Sequence, residues 1–418
     1  MAWKRIRKRG SGTVSIDLLY IEVNLTGYGT HGIQRAQAQG LTTALVCRDP
    51  REYARLDPDP AELVDRLERV DTYDTPQLMR ACLGLEPRAV IAYDDYRLFQ
   101  AAVVANGLGL PGPDPAGILA CRYKDLTRKA TAGIGRDVRH VVVPVDGTVT
   151  SSPLGYPCVV KPVDDGASAG VRVCRSDENF QAAVGGAIDH STHGRGYRCL
   201  DAVLVEEYVE GPEYSAELLW DNQAGSWRLL GFAETVLSRP PKCKELAHVF
   251  PARLDPETEQ VAEKTVLKWL ESTGHRGTAA HVEFKIDHEG RPALMEINPR
   301  LGGGDIRLLI EASTGLDVVD LYQQLWLGRP VALPDRPWDG VAHSVIRYLT
   351  PPGDGVVRHI GRPETLDDAV IAHEIQDIGP DGVTATDTSR LGWVVTLHED
   401  AERAVAAADG FHTSLVFE

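Results

Sequence analysis

The chain predicts an α/β region followed by α+β elements on three observations: a βαβ-type opening, a hairpin that sets two acids opposite each other, and a closing region of short strands punctuated by Pro and Gly. Val14 to Val23 reads as a strand, Gly27, Gly29 and Gly32 lead into a helical stretch from Ile33 to Gln39, and Leu41 to Cys47 reads as a second strand. Ala89 to Ala92 adds a further apolar strand and Tyr96 to Asn106 a helix. The GLGLPGPDP segment then punctuates the end of a three-layer domain, residues 1–120. GYGTHG has GxGxxG spacing, with Asp49 about 20 residues on. The helix after it is short and no second mononucleotide-binding half precedes residue 120, so these residues read as tight-turn glycines bordering a substrate pocket.

The second region spans 121–330. It ends in LGGGDIRLLIEASTGLDVVDLYQQLWLG, glycines followed by an amphipathic helical segment through Leu327. Pro330, Pro334 and Pro337 mark the boundary to a small α+β domain, 331–418, with strands at His343 to Tyr348 and Trp393 to Leu397 and a helix at Ala401 to Ala408. Three domains suit 418 residues at a prior of about 150 each. A balance of 44 basic against 60 acidic residues, net −16, opposes general nucleic-acid or anionic-membrane binding. Seven scattered cysteines, with no CxxC pair, indicate reduced thiols and a cytoplasmic setting. No apolar run nears the roughly 20 residues that span a bilayer, and the basic start from Lys4 to Arg9 reads as a solvated tail.

The chemistry is concentrated in four stretches. HVEFKIDHEGRPALMEINPR (His281 to Arg300) reads as a hairpin turning at Glu289 and Gly290, which puts Glu283 across from Glu296 and Asn298 on the same face. Facing carboxylates destabilise a sheet unless a cation joins them. Mg²⁺ suits the pair, because it takes one or two carboxylates and completes its shell with phosphate oxygens. YPCVVKPVDDGASAGVRV (Tyr156 to Val173) supplies a place for phosphates: a strand into Lys161, then a loop with Gly166, Ser168 and Gly170 whose N–H groups suit an anion. Lys124 and Arg128 share a face of a helix with Gly133 as its terminator. VLVEEYVEGPEYSAELLW (Val203 to Trp220) is strand, acidic connector, strand, and offers backbone groups to an adenine edge and Glu213 to ribose hydroxyls.

In this order, Lys124/Arg128, VVKPVDDGASAGV, VEEYVEGPEY and VEFKID with MEINPR resemble the ATP-grasp superfamily, specifically its carboxylate–amine ligases, over nearly the whole chain. The closing segment is similar to the C-terminal domain of L-amino-acid (dipeptide) ligases. The resemblance implies an ATP-grasp fold with an N-terminal Rossmann-like preATP-grasp domain, two lobes over 121–330 and a small C-terminal α+β domain. It implies that Lys124 and Lys161 hold the nucleotide phosphates beneath a closing loop of Gly166, Ala167 and Ser168 through Gly170. Glu206, Glu207 and Val209 would belong to the adenine hinge, Glu213 would bind ribose, and Glu283, Glu296 and Asn298 would hold the metal. Arg300 would lie beside the transferring phosphoryl group. Glu245, His248 and Pro251 in KELAHVFPARL match a segment near the amino-acid pocket, with His248 a catalytic candidate. Ala247 and Tyr123 stand where the family usually has Gly and Asn.

The implied cofactors are ATP and Mg²⁺, two ions with Mn²⁺ able to substitute. The implied partners are small-molecule amino acid or carboxylic acid and amine substrates, with no nucleic acid and no membrane, and a homodimer is the candidate assembly. The implied reaction activates a carboxylate as an acyl phosphate, which an amine then attacks. Rival readings are another ATP-grasp ligation, such as bicarbonate activation or amination of a nucleotide precursor, and an ATP-binding module without turnover.

Overall fold

A computed structural model describes residues 15–166, 168–189, 195–238, 243–386 and 389–418. The chain divides into two compact units, Met1–Leu110 and Pro111–Glu418. In the first, strands β1 (Leu18–Ile21), β2 (Thr43–Cys47), β3 (Arg66–Arg69) and β4 (Ala89–Ile91) pair in parallel in the order β3-β2-β1-β4. β1, β2 and β4 are buried along their whole length, which explains their continuous apolar sequence where a half-exposed strand would alternate.

The first helix begins at Tyr28 and runs to Ala38, so Gly29 and Gly32 lie inside it and not in a turn. A Cβ on Gly29 would come 2.4 Å from the Val23 Cβ, and one on Gly32 would come 2.6 Å from the Tyr93 hydroxyl. These glycines permit close packing of the helix. Gly27 alone of the three takes a left-handed conformation, φ +89°.

In the second unit, β5 (His140–Pro144), β6 (Cys158–Pro162), β7 (Arg172–Cys174) and β8 (Ala202–Glu207) form an antiparallel sheet in the order β5-β8-β6-β7. Phe180, Ala183 and Val184 of the helix Asp177–Asp189 pack against Val160, Val203 and Val205 of this sheet.

A larger antiparallel sheet contains β9 (Glu213–Asp221), β10 (Ser226–Leu237), β11 (Glu245–Phe250), β12 (Ala279–Ile286), β13 (Pro292–Asn298) and β14 (His343–Tyr348). Short pairs follow, β15 (Gly355–Val357) with β18 (Val383–Ala385) and β16 (Ile360–Gly361) with β20 (Val416–Phe417). With β17 (Val370–Ile375) and β19 (Gly392–His398), the larger sheet reads β13-β12-β9-β10-β11-β14-β19-β17.

The helix Pro256–Thr273 starts on an Asp255 cap, ends at left-handed Gly274, and brings Trp269 to 6.3 Å from the Phe284 ring. Strand alternation then assigns the faces: Ala280, Val282 and Phe284 share the side that packs, and His281, Glu283 and Lys285 share the other. The segment after Arg300 is two helices, Ile306–Thr314 and Val318–Trp326, where the sequence pattern suggests one. Gly315 at φ +75° closes the first, and Asp317 caps the second. The helix Ala401–Ser414 packs Ala404, Ala408 and Phe411 with Val345 and Val394. Among the described residues no helix is long and apolar enough to cross a membrane.

Candidate active site

The hairpin turn is made by Asp287, whose carboxylate accepts the N–H groups of Glu289 and Arg291 at 2.9 Å each, while Gly290 takes φ +74°. The resulting register sets Glu283 opposite Glu296 and His281 opposite Asn298. A bulge follows: β13 carries Met295 as an extra residue between the pairs Glu283/Glu296 and Phe284/Leu294. The Met295 carbonyl accepts Lys161 at 3.1 Å and Arg128 at 3.4 Å.

Facing carboxylates need countercharge, and the protein brings some of it. Lys124 Nζ lies 3.2 Å from Glu296, Asn298 Nδ2 donates to Glu283 at 3.1 Å, and His281 Nε2 is 3.2 Å from the same Glu283 oxygen. The Glu283 and Glu296 side chains stay 29% and 21% exposed. Two carboxylates and an amide oxygen fit a hard cation that draws its remaining ligands from phosphate. Among the described residues no group of three or more His, Cys, Asp and Glu could hold a metal by itself.

Lys124 and Arg128 lie on the helix Lys124–Ala130, which ends before Gly133, and both are buried. Arg128 is engaged inside the protein: its Nε donates to Glu206 at 2.6 Å, and Lys161 Nζ lies 2.8 Å from the other Glu206 oxygen. Burial would raise the Glu206 carboxyl, yet Arg128 and Lys161 hold it down to about 2. Burial lowers the Lys161 amine, with Glu206 opposing. The Glu206 side chain is therefore an electrostatic partner of the cations, and its backbone is paired within the sheet, opposite His140 and Val159.

Beyond Lys161, the loop bonds to itself. Gly166 N–H donates to the Asp165 carboxylate at 2.8 Å, Ala169 N–H to the Gly166 carbonyl at 3.0 Å, and Val171 N–H to the Ser168 carbonyl at 3.3 Å. An anion would have to compete for these three donors. Ala167 lies outside the described residues. Gly170, at φ +71°, is backed by Pro162, 2.9 Å from where a Cβ would stand. Where the resemblance sets a hinge, Glu207 N–H donates to the Arg139 carbonyl at 3.0 Å, and the Val209 carbonyl accepts Lys285 Nζ at 3.5 Å. Glu213 faces Lys285 across the ladder, 3.8 Å away. Burial, reinforced by Glu283 and opposed by Lys285, pushes its carboxyl up to about 7.

Arg300 donates to the Leu301 carbonyl at 2.9 Å and to the Asn298 side-chain oxygen at 3.4 Å. The glycines after it rest on a buried pair absent from the sequence-derived site. His281 Nδ1 lies 2.6 Å from Glu217, and a Cβ on Gly302 would sit 2.7 Å from Glu217 Oε2. Burial alone would lower the His281 imidazole, but Glu217 and Glu283 raise it to about 10. Two signals expose this pair in the sequence: His281 precedes Glu283 by two residues on one strand face, and Glu217 is an acid set between Ala216 and Leu218 in the middle of a strand. His248, buried on β11, has its Nδ1 3.2 Å from the Thr235 hydroxyl and its Nε2 3.6 Å from Glu245. Pro251 follows β11, and its carbonyl accepts His343 Nδ1 at 3.0 Å.

Residues 154–307 match the family model of the ATP-grasp domain. The L-amino acid ligase of Bacillus licheniformis has a similar fold, with a TM-score of 0.80 at 20% identity over 97% of this chain and 98% of that one. The fold is the ATP-grasp fold, and the chain carries an ATP-grasp domain. Among curated relatives, carnosine synthase 1 of Gallus gallus is 27% identical over 350 residues, 78% of this chain and 36% of the synthase. The D-alanine–D-alanine ligase of Thermotoga maritima is 30% identical over 213 residues, 48% of this chain and 63% of that ligase. The chain thus spans less than two thirds of the length of both.

Proposed function

We propose that the protein is an ATP-dependent, ADP-forming ligase that joins an amino acid or related carboxylic acid to an amine or second amino acid through an acyl phosphate. The observation that carries this reading is the facing pair Glu283 and Glu296, open to solvent and flanked by Lys124 and Asn298. The names of the relatives, a carnosine synthase and a D-alanine–D-alanine ligase, support the ligase class.

A carboxylate is anionic and has no leaving group, so an amine cannot displace its oxygen directly. In the proposed path the substrate carboxylate attacks the γ-phosphate of ATP, giving an acyl phosphate and ADP. Lys124, Lys161 and Arg300 position the phosphates and offset charge on the equatorial oxygens. Glu283, Glu296 and Asn298 would hold Mg²⁺, in two ions with Mn²⁺ as a substitute, whose chemistry when bound is to neutralise phosphate oxygens. The neutral amine then adds to the acyl carbon, Arg300 stabilises the tetrahedral oxyanion, and phosphate leaves as the amide forms. His248 is our candidate for taking the amine proton. The ATP-grasp lobes are assigned to 121–330, between a preATP-grasp domain, 1–120, and the C-terminal domain, 331–418.

Pairwise incubation of the twenty amino acids with ATP and Mg²⁺ tests this reading. ADP and phosphate should form only when an acid and an amine are both present, together with a new amide by mass spectrometry. AMP and pyrophosphate, or dependence on bicarbonate, would contradict it.

A further inference from the structure

Side chains from β11, β14 and the run into β19 converge on the loop after Arg300. Arg390, just ahead of β19, reaches Glu245 at the start of β11 with 2.7 Å between Nη2 and Oε2, and its guanidinium lies 3.5 Å over the Tyr348 ring at the end of β14. The Tyr348 hydroxyl donates to the Gly304 carbonyl at 2.6 Å, and the His248 ring meets Tyr348 edge to face at 6.0 Å. Gly304, at φ +61°, has no room for a side chain, since a Cβ would lie 2.9 Å from His248 Nε2. His248 is 3% exposed and its Nε2 makes no hydrogen bond, whereas the Arg390 and Glu245 side chains are 40% and 30% exposed.

The buried His248 Nε2 has the Glu245 carboxylate 3.6 Å away, beyond hydrogen-bond reach, and an arginine stacked on an aromatic ring keeps its in-plane N–H edge for a carboxylate. In this structure Glu245 takes that edge. In the ligase reading Arg300 and the Glu283–Glu296 pair serve the carboxylate that ATP activates, so Arg390 is left for a second carboxylate. A carboxylate held at Arg390 is therefore not the one phosphorylated, and it persists in the product.

We propose that Arg390 is a specificity-determining residue that receives the carboxylate of the amine substrate, so that the nucleophile is an amino acid in preference to a simple amine. Substrate displaces Glu245 from the guanidinium, and Glu245, beside His248, becomes the acceptor for the incoming ammonium. This inference rests on the ligase reading above.

The test compares the best amine partner from the pairwise screen with its own carboxamide, in wild type, Arg390→Ala and Arg390→Lys. Losing a charge-assisted contact should raise KM for the amino acid about ten- to a hundredfold in Arg390→Ala, with Arg390→Lys intermediate. KM for ATP should move by less than about twofold, and the carboxamide, already a poor substrate for wild type, should be affected far less. Equal losses for amino acid and carboxamide, or a wild type that takes both alike, would overturn the role of Arg390 and leave the ligase reading standing. Absence of any amide from every pair would overturn both. If Arg390→Ala does not fold, Arg390→Gln and Arg390→Lys give the same ratio.

Discussion

The Arg128–Glu206–Lys161 cluster and the Glu283–Glu296 pair lie close together, both tied to the hairpin around the Met295 bulge, and they differ in what remains unbalanced. The first sets two cations on one carboxylate, with side chains 6%, 3% and 8% exposed. The second sets two carboxylates 29% and 21% exposed against Lys124, a neutral amide and His281, which already has Glu217. A dry, fully hydrogen-bonded cluster is costly to break, because removing one member strands the others. An open pair with surplus negative charge is poised for a cation. The contrast separates charge already balanced within the protein, of which only Lys161 has a phosphate role in the proposed path, from charge that waits for a ligand.

The largest expected effect breaks the open pair: Glu296→Gln should lower kcat about a thousandfold by weakening the metal site. Its melting temperature should stay close to that of wild type, because the change also removes a like-charge contact. Wild-type activity in this variant would remove the site assignment. In the dry cluster the pattern should reverse, with Glu206→Gln costing about 3–5 kcal/mol of stability by denaturant titration, since it leaves two buried cations unpaired.

His275 sharpens the contrast as a dry group with no countercharge. Its Nε2 donates to the Ala279 carbonyl at 2.9 Å, and burial pushes its imidazole down to about 4. With the folded value depressed, its contribution is full above the unfolded value near 6.5 and is lost as pH falls towards 4, up to about 3 kcal/mol. Replacing His275 by Gln should flatten the stability profile between those pH values. A more moderate effect belongs to the open pair's own support: His281→Gln should raise the Mg²⁺ concentration for half-maximal activity about ten- to a hundredfold. The same variant should blunt the Mg²⁺-dependent thermal shift with ADP, a readout that needs no turnover.

Much of the open pair was legible in the sequence, because a two-residue period and the Asp287 to Gly290 turn fix which residues face each other. The dry cluster was not. Arg128 and Glu206 are 78 residues apart, and nothing local says that a cation one turn beyond Lys124 is claimed by a buried acid. The Met295 bulge is equally silent, since one extra residue in a strand looks like ordinary alternation. Gly29 and Gly32 misled for a related reason: glycine marks both a turn and a close approach, and only the positions of Val23 and Tyr93 separate the two. Arg390 carries no motif, and its place over Tyr348 depends on β19 pairing with β14.

The central claim is that ATP activates a substrate carboxylate by phosphoryl transfer, and oxygen tracing tests it most directly. An acid labelled with ¹⁸O in both carboxylate oxygens, turned over with ATP and an amine, should deliver one labelled oxygen to inorganic phosphate and leave the other in the amide. Phosphate free of label, or label recovered in AMP, would contradict the account.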